Sequence, residues 1–146
     1  MKPITYVLLL CATLLSSCDD GRIAEEDFNL EEEGRVAKVE VKLEGQKTWP
    51  SGYSISIAGF SDNSPYAEIT KSIRTDENGQ ADVTLSGIPD NVKTLEVCVV
   101  NSVRRRVISF FTIDAPNTND TIRINAGTLN ASMFASIQKQ IFDKQC

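Results

Sequence analysis

Short runs of alternating apolar and polar residues recur between positions 35 and 125. In one of the clearest, Val39, Val41 and Leu43 alternate with charged residues, the period of two expected of a strand with one buried face. Residues 95–100 alternate as well but are apolar on both faces, which predicts a central strand. Seven such strands are predicted, with no helix among them. The pattern favours an all-β fold, a seven-stranded antiparallel β-sandwich over residues 35–127.

Turn and helix signals divide this pattern. The segment 75–79 ends in Asn-Gly, a pair that readily takes positive φ, and it predicts a hairpin. After Gly127 the apolar spacing becomes helical, with Ser132 or Asn130 as the N-cap. Residues 128–146 are therefore predicted to contain a short C-terminal α-helix. Its apolar positions are Met133, Phe134, Ile137 and Ile141.

The first 17 residues have the pattern of a secretory leader. Lys2 supplies a positive charge, and an apolar run of about ten residues follows from Tyr6 to Leu15. Such a run is too short to span a bilayer as a helix. It ends in Leu15-Ser16-Ser17-Cys18, which resembles the lipobox of bacterial lipoproteins. The alternative is an ordinary leader with a chance cysteine.

The lipobox resemblance implies a signal peptide over residues 1–17 and a lipidated Cys18 as the first mature residue. Several acyl chains on one cysteine hold a protein firmly on a membrane, since each buried CH₂ contributes about 0.8 kcal/mol. We therefore expect the membrane to be a partner through this anchor. The expected location is the cell envelope, at the surface or periplasmic face of an outer membrane.

Charge separates a tether from the folded part. Residues 18–34 contain eight acidic side chains against Arg22, whereas the 13 basic and 12 acidic residues beyond them nearly balance. The acidic stretch is predicted to be a solvated tether. It also resembles, loosely, the surface-export signals of Bacteroidota lipoproteins. The balanced remainder has no basic field for nucleic acid, so no nucleic-acid partner is expected.

Histidine is absent from the sequence. This excludes a Ser-His-Asp or Cys-His nucleophile and a histidine metal ligand within these residues. We expect no enzyme, no metal site and no cofactor within the chain. Of the four cysteines, Cys11 lies in the leader and Cys18 would be acylated, which leaves Cys98 and Cys146. A disulfide between these two is one alternative.

Two further resemblances concern family. The segment 36–85, especially Thr75-Asp76-Glu77-Asn78-Gly79-Gln80-Ala81, resembles the immunoglobulin-like and prealbumin-like modules of exported bacterial proteins. The C-terminal tail resembles the first helix of c-type cytochrome-like, haem-binding lipoproteins of Bacteroidota. This tail is Met133-Phe134-Ala135-Ser136-Ile137-Gln138-Lys139-Gln140-Ile141-Phe142-Asp143-Lys144-Gln145-Cys146. In that family the cysteine opens a Cys-x-x-Cys-His motif, so the resemblance implies that Cys146 is the first haem-attachment cysteine of a truncated chain. Haem c itself would then belong to a missing downstream segment. The alternative is an amphipathic helix with an incidental cysteine.

Aromatic and basic clusters add two smaller candidates. Trp49, Tyr53 and Tyr66 lie close together in sequence and are candidate ligand-binding residues, because aromatic rings at a sandwich edge can stack on sugars; the alternative is a core plug. The run 104–106 consists of three arginines and is predicted to be solvated or to protect a strand edge.

These observations lead to two functional hypotheses. The first is an envelope lipoprotein whose sandwich is a non-catalytic spacer or docking module, forming the front part of an electron-transfer lipoprotein. The second is a complete surface lipoprotein that binds a glycan or a protein partner. The two differ in whether a Cys-x-x-Cys-His motif is completed after Cys146.

Overall fold

The computed structural model describes residues 34–143. The predicted signal peptide, the lipidated Cys18, nearly all of the acidic tether and Cys146 lie outside the described residues. Within residues 34–143 no helix has the length and apolar character needed to cross a membrane. The seven strands are β1 Arg35–Glu44, β2 Tyr53–Phe60, β3 Ala67–Ser72, β4 Gln80–Ile88, β5 Thr94–Asn101, β6 Arg106–Asp114 and β7 Ile122–Asn130.

The strands form two sheets, which confirms the predicted all-β, sandwich-like fold. One sheet has the order β4-β1-β7 and the other the order β3-β2-β5-β6. β1 runs antiparallel to β4 but parallel to β7, with Val39 opposite Ile124. The prediction of a wholly antiparallel sandwich is therefore wrong at the β1–β7 pair. Alternation marks which residues form strands but carries no information on strand direction. A parallel pair needs only a long connection, which β2 to β6 provide.

The main core lies between the two sheets. In β1 every second side chain points inward, and the same alternation brings residues of β2, β4, β5 and β7 into contact with them. The largest fully buried side chains of this core are Leu43, Ile57, Ile88, Leu95, Val39, Val92, Val97 and Val99.

A second, smaller core lies on the outer face of the four-stranded sheet. Because side chains alternate along a strand, Cys98 and Val100 point away from the main core that Val97 and Val99 enter. Cys98 and Val100 pack with Ala58, Phe60 and Ala67. β5 is thus buried on both faces and pairs with β2 and β6. The predicted central position of this strand is confirmed.

The turn at residues 76–79 forms as predicted, but it does not close a hairpin. The Asp76 carboxylate accepts hydrogen bonds from the backbone N–H groups of Asn78 (2.9 Å) and Gln80 (2.8 Å). Gly79 has φ 80°, and a Cβ there would lie 2.4 Å from the Leu43 carbonyl oxygen. β3 and β4, which flank this turn, belong to different sheets. The turn could be predicted from its own residues. The pairing of the strands that flank it depends on which of their faces are buried, and the turn residues do not determine this.

The last strand continues to Asn130, beyond Gly127, where the predicted sandwich domain ends. That glycine has φ 66° and lies where the β1–β7 register shifts, so it forms a bulge within the strand. After β7 the Ser132 hydroxyl accepts a hydrogen bond from Ala135 N–H (3.3 Å) and caps α1, Met133–Ile137. A π-helical turn, Gln138–Phe142, follows. The predicted short C-terminal helix is confirmed.

A buried arginine joins the loops at the start of β1. The Arg35 guanidinium donates hydrogen bonds to four backbone oxygens, those of Ala115 (3.1 Å), Pro116 (3.0 Å), Pro89 (2.6 Å) and Val92 (2.8 Å). Only 6% of Arg35 is exposed. The first two acceptors lie in the β6–β7 connection and the other two in the β4–β5 connection. One side chain therefore links three segments at this end of the sandwich.

Candidate functional site

An apolar groove lies where α1 meets the sandwich. Its volume is about 290 Å³. The groove is lined by Trp49, Pro50, Tyr53, Val107, Ile108, Met133, Ser136, Ile137 and Gln140. Hydrogen bonds fix its walls: the Trp49 indole N–H donates to the Ala131 carbonyl (2.7 Å), and Met133 N–H donates to the Thr48 hydroxyl (2.8 Å). The groove is therefore formed by well-anchored elements.

Large apolar side chains are exposed in this groove and on the C-terminal helical segment that forms one of its walls. On the C-terminal helical segment, Phe134 is 77% exposed, Phe142 60% and Ile137 44%; of these three, Ile137 lines the groove. Across the groove, Tyr53 is 44% and Val107 40% exposed. Single exposed apolar residues are ordinary, but several of them beside an apolar groove are typical of an interaction surface. We call the groove and these exposed side chains the apolar face.

The apolar face and the first residues that the structure describes lie at opposite ends of β1. Arg35 begins the strand, while Glu44, its last residue, accepts a hydrogen bond from Ala131 N–H just before α1 (2.8 Å). A strand of this length spans about 30 Å, at roughly 3.3 Å per residue. The chain preceding β1 therefore joins the sandwich far from the apolar face.

The three aromatic candidates from the sequence do not form one site. Trp49 and Tyr53 lie side by side, with ring centroids 6.1 Å apart and planes tilted by 43°. Trp49 also packs on the main core. Tyr66 is half-exposed and pairs through its backbone with Arg105, and it does not line the apolar groove. The structure thus brings together two of the three residues.

A polar pocket of about 360 Å³ contains a charged pair that sequence reasoning missed. Glu96 is 98% buried, and one of its carboxylate oxygens contacts the Arg106 guanidinium. The same guanidinium lies over the Phe60 ring, 4.9 Å from its centroid. Of the basic run, Arg106 is therefore a paired side chain, not a merely solvated one. The only sequence signal was a carboxylate in the middle of an otherwise apolar strand.

The described residues do not form a haem site. Attachment through Cys-x-x-Cys-His requires two thiols and an imidazole. Cys98 is buried within the second core. Burial, assisted by the nearby Glu96 carboxylate and opposed by Arg106, raises the pKa of its thiol to about 12. Such a thiol is inert. Within residues 34–143 no group of three or more His, Cys, Asp or Glu side chains is placed to hold a metal ion.

No family model matches the sequence, and no curated protein or solved structure is significantly similar to it. The function is therefore inferred from the residues and their geometry.

Proposed function

We propose that this protein is a lipid-anchored envelope module that works by docking, with the membrane attachment at Cys18 and the docking surface at the apolar face. The observation that carries the proposal is the set of exposed apolar side chains in the groove and on the adjoining helical segment, at the end of β1 away from Arg35. A surface of this kind gains free energy when a partner covers it, at roughly 25 cal/mol per Å² of apolar area. The sandwich then serves as a spacer that carries the surface away from the bilayer.

The partner we propose is a c-type cytochrome-like segment that follows the C-terminal helix. The support is the resemblance of residues 133–146 to the first helix of haem-binding lipoproteins, together with the exposure of Phe134 and Phe142 on that helical segment. Aromatic side chains that are exposed in an isolated module become buried when the neighbouring domain packs on them. Cys146 would provide the first thioether bond to haem c.

We further propose that the sandwich is of the prealbumin-like type. In a constant-type immunoglobulin domain the first two strands share a sheet. Here β1 and β2 belong to different sheets, and β1 pairs with the last strand. This order supports the prealbumin-like alternative.

A photo-crosslinking experiment in cells that express the gene from its own locus tests the docking proposal. A photoreactive phenylalanine analogue replaces Phe134, and cross-linked peptides are identified by mass spectrometry. We expect one specific adduct, formed with the haem-carrying segment, in the membrane fraction. An open reading frame that continues after codon 146 into a second cysteine and a histidine is expected with it.

The matched control places the same analogue at Val103, which is 62% exposed in the β5–β6 loop. Equal adducts at both positions, or none at position 134, would contradict docking at the apolar face. A stop codon directly after Cys146 would remove the proposed partner.

The lipid anchor is tested in the same cells. The variant Cys18→Ser is expected to move the protein from the membrane to the soluble fraction, and retention of this variant in the membrane would contradict the lipid anchor.

A further inference from the structure

The polar pocket beside Glu96 contains a buried acceptor that the protein does not satisfy. The second carboxylate oxygen of Glu96, Oε2, is buried and receives no hydrogen bond from residues 34–143. Buried polar atoms are almost always paired, and an ionised one without a donor is costly. The pocket next to it is large enough for a small molecule. An external donor at this oxygen would remove the cost.

The formal charges around the pocket cancel. Glu96 and Arg106 form one pair of opposite charges, and Asp62 and Lys93 add one of each sign to the lining. The remaining polar lining comes from Thr94 and from the β2–β3 loop, where Asn63 provides an amide. The Ser61 and Ser64 hydroxyls of this loop donate to Glu68 and to the Tyr66 carbonyl, so they remain available as acceptors. The pocket thus offers hydrogen-bond donors and acceptors without a net field.

Charge balance selects the ligand. Arg106 and Lys93 would repel a metal ion or an ammonium group. Glu96 and Asp62 would repel a phosphate or a carboxylate. A neutral molecule that bears neighbouring hydroxyl groups meets neither repulsion. Each hydroxyl both donates and accepts a hydrogen bond, so it matches a lining of carboxylates and cations.

We propose that this pocket binds a neutral polyhydroxylated ligand, a sugar residue, with one hydroxyl donating to Glu96 and its neighbour accepting from Lys93 or Arg106. Because Oε2 is covered, binding requires a local shift of the side chains around Glu96 that opens this oxygen to the pocket that Glu96 lines. The pocket and the apolar face have no lining residue in common. This inference is therefore independent of the docking proposal.

The test is a ¹H–¹⁵N NMR titration of the full chain with glucose, galactose, mannose and N-acetylglucosamine separately, each to about 50 mM, a range suited to the millimolar affinities of single sugars. At least one sugar is expected to shift the amide signals of residues 61–64 and 93–96 in a saturable way. Separate titrations with CaCl₂ and with inorganic phosphate test the charged alternatives.

Two exposed carboxylates provide the matched variants. Asp62 lines the pocket, and Asp90 lies in the β4–β5 connection outside it. Asp62→Ala is expected to weaken sugar binding about tenfold, and Asp90→Ala to leave it unchanged. Glu96→Gln, which keeps the shape of the side chain, should weaken binding similarly. Saturable shifts with no sugar, shifts with calcium or phosphate alone, or binding that is insensitive to both pocket variants would overturn the proposal.

Discussion

Replacing Arg35 by leucine is expected to lower the free energy of unfolding by about 3–5 kcal/mol. The substitution places an apolar side chain at a buried site and removes the donors for four backbone oxygens. Those oxygens belong to two loops that one backbone hydrogen bond, from Ala115 N–H to the Lys93 carbonyl (2.7 Å), also joins. A charged donor makes stronger hydrogen bonds than a neutral one, so Arg35 is expected to contribute more than this single bond. The cost therefore comes from unsatisfied carbonyls as well as from lost bonds.

Urea unfolding followed by tryptophan fluorescence measures this effect, because Trp49 is the only tryptophan in the chain. Trp49 adjoins the end of the sandwich away from Arg35, so a loss of its signal at lower urea reports global rather than local unfolding. Arg35→Lys should recover only part of the stability, since an ammonium is a point charge with three donors and lacks the planar fork of a guanidinium.

Arg123→Leu is the matched control, because Arg123 is an exposed arginine on β7. We expect this variant to remain within about 0.5 kcal/mol of the wild type, as surface substitutions usually do. If Arg35→Leu were equally mild, the four hydrogen bonds would not contribute to stability.

The strands of this fold could be predicted from sequence because apolar and polar residues alternate along them, and the apolar positions mark the buried face. The inward residues of β1 and the double-sided burial of β5 followed directly from which positions are apolar. The parallel β1–β7 pair could not be predicted, because the same alternation suits either direction. Gly127 shows a related limit: the change of period after it predicts the end of the sandwich, but its positive φ allows a bulge that the strand passes through.

The candidate sites were less accessible to sequence reasoning. Trp49 and Tyr53 could be expected to lie together because they flank one short break, whereas Tyr66 depends on how the β2–β3 loop is oriented. Nothing in the sequence distinguishes Arg35 and Glu96 from the many other charged residues of the chain. Their burial depends on tertiary contacts with the β4–β5 and β6–β7 connections and with Arg106, and no local pattern encodes those contacts.

The Glu96–Arg106 pair should show the behaviour of a buried charge that requires its partner. Arg106→Met is expected to destabilise the sandwich by about 2–4 kcal/mol, because it leaves a buried carboxylate without its only described hydrogen-bond donor. The estimate is below that for a fully enclosed pair because Arg106 is partly exposed. Glu96→Leu alone should cost less, since the released guanidinium can turn toward water.

The double variant Glu96→Leu/Arg106→Met separates pairing from packing. Apolar replacement of a whole buried pair is often neutral or stabilising, so we expect the double variant to lie within about 1 kcal/mol of the wild type. Urea unfolding of the four proteins completes a double-mutant cycle, in which a large coupling energy reports direct interaction. If the two single effects simply added, the contact between Glu96 and Arg106 would carry no interaction energy. Stability near that of the wild type, combined with lost sugar shifts, would instead indicate that the pair is retained for the pocket rather than for the fold.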